Sequence, residues 1–140
     1  MPQTSSSSSE DETAAAGAAL ARTLPAGAVV YVEGELGAGK TAFVRGAARA
    51  LGVLDPVTSP TFTVAHLYEG EHGSIAHLDL YRSGPLGDED MADLEPYFDD
   101  VRATFVEWAV RGRGVLPPPA AQVLLRIAGE DAREIEITVF

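Results

Sequence analysis

Three observations predict an α/β fold, with a mixed, partly antiparallel central sheet flanked by helices in three layers. A short β-rich run at 28–33, "AVVYVE", leads through a glycine-rich loop into a stretch with helical spacing. Two β-like runs, "TFTVAHLYE" and "SIAHLDLYR", are separated only by "GEHG", which predicts a hairpin with antiparallel strands. Two further β-like runs, "AQVLLRIAG" and "REIEITVF", flank "GEDA" and close the chain.

Each element follows from local chemistry. Residues 1–9 are polar and serine-rich and read as a disordered tail, leaving 10–140 as one domain. A serine or acidic residue at the end of that tail can cap the next helix. "TAAAGAALARTL" places small and apolar residues at helical spacing, with Leu20 and Leu24 on one face, and "PAG" stops it. The run at 28–33 is short, apolar and bounded by glycine, as a buried central strand should be. After the glycine loop, Phe43, Val44, Ala47 and Leu51 form an apolar helical stripe that ends at Gly52. "DPVTSPTF" from Asp55 is a proline-marked loop that leads into the hairpin. The acidic stretch 83–100 is broken, with room for one short helix near 89–94. "VRATFVEWA" predicts a further strand ending at Glu107 and Trp108, and "VRGRGVLPPP" a loop.

A chain of 140 residues is the size of a single domain. It has no cysteine, so disulfides and thiolate metal sites are excluded. No apolar run is long enough to span a membrane, and the start lacks a secretion signal. The cytoplasm is the expected compartment. The formal net charge of −11 repels nucleic-acid phosphates, so direct binding to DNA or RNA is not expected. Against that acidity, Lys40 is the only lysine, the other nine of the ten basic residues being arginine.

That lysine lies in "GELGAGKT", Gly34 to Thr41, which fits the pattern G-x-x-x-x-G-K-T between a predicted strand and a predicted helix. Glycines let the backbone curl around phosphates where side chains would block it. The N–H groups of the loop and of the helix start attract anions. Lys40 adds a mobile positive charge for the β and γ phosphates, and Thr41 offers a hydroxyl to Mg²⁺. The nucleotide-binding candidates are therefore Glu35, Leu36, Gly37, Ala38, Gly39, Lys40, Thr41 and Ala42, with the side chains of Glu35 and Ala38 turned away. The fold class narrows to a P-loop NTPase-like sandwich.

A nucleotide hydrolase also needs a carboxylate near Mg²⁺, at the end of a strand beside that loop. Glu107 at the end of "TFVE" can bind Mg²⁺ directly or through water, or be an ordinary surface glutamate. In "HLDLYR", alternation puts His77, Asp79 and Tyr81 on one face. Asp79 can position the attacking water or hold a Mg²⁺-bound one, and Arg82 can meet a phosphate or lock a carboxylate. A structural Asp79–Arg82 or His77–Tyr81 hydrogen bond accounts for the same pattern. His66, His72 and His77 match no zinc motif, and the first two are expected to be exposed. "TSPTF" is restrained by Pro60, and its hydroxyls, Thr61 included, either sense the γ-phosphate or form a plain polar loop. Trp108 either stacks near the nucleotide or completes the core.

"GELGAGKT", "SPTF", "HLDLYR" and "VEW", in this order and spacing, resemble the bacterial TsaE family over residues 10–140. That family is the small ATPase component of the machinery that makes threonylcarbamoyladenosine (t6A) on transfer RNA. The resemblance implies ATP and Mg²⁺ as cofactors, with Lys40 on the phosphates and Thr41 and Glu107 on Mg²⁺. It implies Asp79 as the carboxylate needed for hydrolysis, Thr61 close to the triphosphate, Trp108 near the nucleotide and Thr13 in the adenine pocket. The implied partners are TsaD and TsaB, whose repeated cycles the ATPase supports. The chain departs from the family in having Glu35 where Asp is frequent, Ala42 where Thr or Ser is frequent, and Ala109 where proline usually follows "EW". Two other readings stand beside this one, a small P-loop kinase and a nucleotide-binding scaffold that does not hydrolyse. The acidic "GDEDMADLEP" is unsuited to clamp ATP as a kinase lid.

Overall fold

The computed structural model describes residues 2–57, 65–81, 86–112 and 114–140. In chain order the elements are β1 (Gln3–Ser7), α1 (Glu10–Ala21), β2 (Ala28–Glu33), α2 (Lys40–Ala50), β3 (Ala65–Gly70), β4 (Gly73–Asp79), α3 (Asp88–Leu94), β5 (Ala103–Glu107), β6 (Ala121–Ile127) and β7 (Arg133–Val139). Among the described residues the strands form one seven-stranded sheet, in the order β1-β7-β6-β2-β5-β4-β3. β6, β2, β5 and β4 are parallel neighbours. The hairpins β3–β4 and β6–β7, and the pair β1–β7, are antiparallel. The mixed sheet, the hairpin around 70–73 and the two closing strands expected from the sequence are present, and the closing strands pair as a second hairpin.

Helices cover both faces, giving three layers. On one face Val30, Val32, Ile75, Phe105 and Val123 pack under Leu20 of α1 and Phe43, Val44 and Ala47 of α2. On the other, Val29, Ala76, Leu78 and Val106 pack with Leu94, Met91, Tyr97 and Phe98 from α3 and the 3₁₀ turn after it. β2 and β5 are sandwiched between these layers, which is why they read as continuous apolar runs rather than alternating ones. α1 begins at Ser9, whose hydroxyl accepts the Glu12 N–H at 3.1 Å. Glu10, Asp11 and Glu12 in its first turn complement the helix dipole.

Residues 3–7 correct the reading of a disordered tail. They form β1, pairing with β7 from Gln3 opposite Ile137 to Ser7 opposite Arg133. Only Ser7 is buried. Backbone hydrogen bonding to an otherwise open sheet edge orders this segment, and that driving force is independent of side-chain hydrophobicity. Ser7 then meets α1, its hydroxyl 2.6 Å from that of buried Thr13.

α1 and α2 touch through glycine. A Cβ on Gly46 would sit 1.8 Å from the Ala14 carbonyl oxygen, and one on Gly17 would sit 2.0 Å from that of Phe43. Both contacts are with backbone, so a side chain here forces the helices apart. Gly46→Ala is expected to destabilise the fold by about 1–3 kcal/mol despite alanine's better helix propensity. Urea unfolding measures this; a gain in stability would show that the helices separate at no cost.

Candidate functional site

The parallel strands β2, β5 and β4 end side by side at Glu33, Glu107 and Asp79. Asp79 is the direct register partner of Glu107. This adjacency puts strand-end carboxylates at the carboxyl edge of the sheet, where open α/β folds carry their sites. The loop from β2 to α2 crosses that edge and wraps the start of α2.

The loop backbone needs its glycines. Gly34 has φ +154° and lies against β6, where an added Cβ would be 2.7 Å from the Leu125 carbonyl oxygen. Gly39 caps α2 at φ +100° and, having no side chain, supplies no capping oxygen to the helix's first N–H groups. Ala38 is fully buried, its methyl turned into the core.

Lys40 is 6% exposed. Its Nζ donates to the carbonyls of Gly34 at 2.6 Å and Glu35 at 2.9 Å. Burial lowers its pKa from the ordinary lysine value, while Glu107, Asp79, Glu33 and Glu35 favour the charged form. The Trp108 ring lies 4.9 Å from Nζ and packs against Tyr81 at the same centroid distance. Trp108 holds a left-handed backbone, φ +59°, which is strained for an aromatic residue and directs the chain out of β5 beside the loop. The ring both borders the cleft and packs against the core cluster on the α3 face of the sheet.

Glu107 is buried at 3% exposure, not on the surface. Its Oε2 pairs with Nε2 of fully buried His77 at 2.5 Å. Nδ1 of His77 has no hydrogen-bond partner among the described residues. Asp79 Oδ1 accepts the Tyr81 N–H at 3.0 Å.

A cleft of about 660 Å³ opens over these groups. Thr13, Leu36, Gly37, Gly39, Lys40, Thr41, Ala42, Asp79, Glu107 and Trp108 all border it. Of the residues expected at the site, Glu35 and Ala38 do not border it, and Glu35 contributes only its carbonyl to Lys40. Thr61, the rest of "SPTF" and Arg82 lie outside the described residues. His72 is exposed as expected, but His66 is half-buried, with Nδ1 3.1 Å from the Tyr68 hydroxyl. Ser8, Ser9, Glu10, Arg45, Asp131 and Arg133 also border the cleft without having been singled out in the sequence. Ser9 carried a helix-start signal only. Arg133 carried none, because its partners are backbone carbonyls far away in the chain.

The family model for threonylcarbamoyl adenosine biosynthesis protein TsaE matches residues 7–135. The chain belongs to the TsaE family. Among TsaE proteins, that of Treponema pallidum is 35% identical over 139 residues, covering 94% of this chain and 96% of that protein. That of Bacillus subtilis is 38% identical over 128 residues, covering 91% and 80%. The crystal structure of Bacillus subtilis YdiB superposes with a TM-score of 0.78 at 34% identity, covering 99% of this chain and 86% of that one. Membership in TsaE makes this chain an ATP-binding accessory protein of t6A biosynthesis.

The His77–Glu107 pair generates a prediction. His77→Ala leaves the Glu107 carboxyl buried without its imidazole partner, at a cost of about 2–3 kcal/mol. Urea unfolding reads this out, and a loss below about 0.5 kcal/mol would mean that Glu107 finds another donor.

Proposed function

We propose that the protein is a Mg²⁺-dependent ATPase of the cytoplasm that supports turnover of the TsaD–TsaB complex in t6A synthesis. The observation that carries this reading is the convergence of Lys40, Thr41, Asp79 and Glu107 on one cleft over an α2 start with no side-chain cap.

Each group has a role that its position suits. The N–H groups at the start of α2 receive phosphate oxygens. Lys40 exchanges the carbonyls of Gly34 and Glu35 for the β and γ phosphates. That exchange keeps the buried ammonium hydrogen-bonded throughout, so it costs little. Thr13 closes the cleft on the α1 side, toward adenine, and Trp108 closes it on the β5 side.

The donor set fits magnesium. Thr41 and Glu107 offer hard oxygen ligands on one cleft. Among the described residues there is no cluster of three or more ligating side chains. Mg²⁺ characteristically needs only one or two carboxylates when substrate phosphates and water complete its shell. An ion held by Thr41 and Glu107 would supply neutralisation of phosphate charge. Asp79, fixed by the Tyr81 N–H, orients the attacking water toward the γ-phosphate. Partner proteins complete the geometry, so the isolated chain is slow. At a formal charge of −11 the chain itself does not grip tRNA, and a basic surface on a partner is its natural complement.

Two measurements test this. Lys40→Ala is expected to weaken ATP and ADP binding by about 2–3 kcal/mol, roughly fiftyfold in Kd. Unchanged affinity removes the phosphate loop from the site. Asp79→Asn is expected to bind nucleotide normally and to lose about a hundredfold in kcat for phosphate release with TsaD and TsaB present. Equal turnover assigns Asp79 a structural role.

A further inference from the structure

We propose that Arg133 is a positioning residue for the nucleotide, holding the phosphate-binding loop in the shape that receives phosphate. The inference rests on the nucleotide reading of the cleft and adds a residue from the opposite end of the chain.

Arg133 is the first residue of β7, in register with Ser7 of β1 and Ile127 of β6. Its guanidinium reaches two loops at once. Nη2 donates to the Gly37 carbonyl at 3.0 Å and Nε to the Ala38 carbonyl at 3.2 Å. Nη1 faces the turn between β6 and β7, donating to Ala132 at 2.8 Å, Gly129 at 3.2 Å and Glu130 at 3.3 Å. Among the described residues no carboxylate lies within ion-pair distance of it. An arginine that spends every nitrogen on backbone carbonyls shapes backbone.

The consequence follows from peptide geometry. In a trans peptide the C=O and the next N–H point in opposite directions. Drawing the Ala38 carbonyl toward Arg133 therefore turns the Gly39 N–H the other way. The Ala38 N–H, on the peptide of the Gly37 carbonyl, is held in a turn to the Glu35 carbonyl at 3.1 Å. The 37–38 and 38–39 peptide planes are thus fixed before any phosphate arrives, and an anion meets a Gly39 N–H dipole already oriented. The guanidinium also places positive charge in a cleft bordered by Glu10, Asp79, Glu107 and Asp131. Of the other cations there, Arg45 is 3.5 Å from Glu10 and Lys40 is the loop's own lysine.

Lysine cannot substitute. A single ammonium has no planar fork to span two separate loops. Charge and shape can therefore be separated by experiment. Wild type, Arg133→Lys and Arg133→Met are titrated with ADP in the absence of Mg²⁺. Melting temperatures and hydrogen exchange of the amides of residues 37–41 in the nucleotide-free proteins are recorded alongside. Both variants are expected to bind ADP about tenfold more weakly, and their loop amides to exchange faster. Wild-type affinity in Arg133→Lys overturns the proposal, because charge alone then suffices. A lowered melting temperature with unchanged affinity and loop exchange also overturns it, leaving Arg133 a hairpin residue. If Arg133→Met does not fold, Arg133→Lys decides alone. If wild type binds no ADP, the nucleotide reading fails and this inference with it; if wild type and both variants bind equally, only this inference fails.

Discussion

A buried ammonium among carboxylates is the interaction on which the rest depends. Lys40 sits out of water, and burial alone would favour its neutral form. Its charged form is favoured by the acids at the ends of three adjacent parallel strands, Glu33, Asp79 and Glu107, and two loop carbonyls accept hydrogen bonds from it. The topology supplies this arrangement. A parallel β4–β5–β2 order aligns the strand ends, while an antiparallel order would send them to opposite edges. The sheet layout is thus an electrostatic device as much as a packing one.

Much of this was legible in the sequence. The glycine loop between β2 and α2 announces itself because its pattern is local: glycines, one lysine and one threonine at fixed spacing, between a strand and a helix. The α2 stripe and the β3–β4 hairpin were readable for the same reason, since near neighbours in sequence make them. The failures share the opposite cause. β1 has no apolar alternation, and only its pairing with β7, at the far end of the chain, makes it a strand. Arg133 is one charged residue in "REIEITV", and nothing around it marks its bonds to Gly37 and Ala38. His77 is buried and pairs with Glu107 rather than with Tyr81, and that choice depends on β4 and β5 being neighbours.

The walls of the cleft are joined to one another more closely than their separation in sequence suggests. β1 ends at Ser7, which bonds to Thr13 on α1 and lies in register with Arg133 on β7. A Cβ on Gly39 would lie 3.5 Å from the Thr13 methyl, so α1 also abuts the glycine loop. Gly17 and Gly46 bring α1 close enough to α2 for that contact. The N-terminal segment, the first helix and the last strand therefore form one bracket around the loop, so the positions of the bracket and the loop are interdependent.

The same acidity sets a condition on the ligand. A triphosphate approaching this chain meets a net negative protein and, at the cleft, carboxylates of its own sign. Lys40 and Arg133 offset part of that repulsion, but Arg45 is engaged with Glu10. On the proposed reading, the carboxylates favour a phosphate chain that brings a divalent cation over one that comes bare, since the cation turns the nearest repulsion into attraction. Selection for the metal complex then needs no dedicated metal cage. It follows from placing acids at the strand ends and amides at the helix start, so that each half of the metal–phosphate pair meets the charge it lacks.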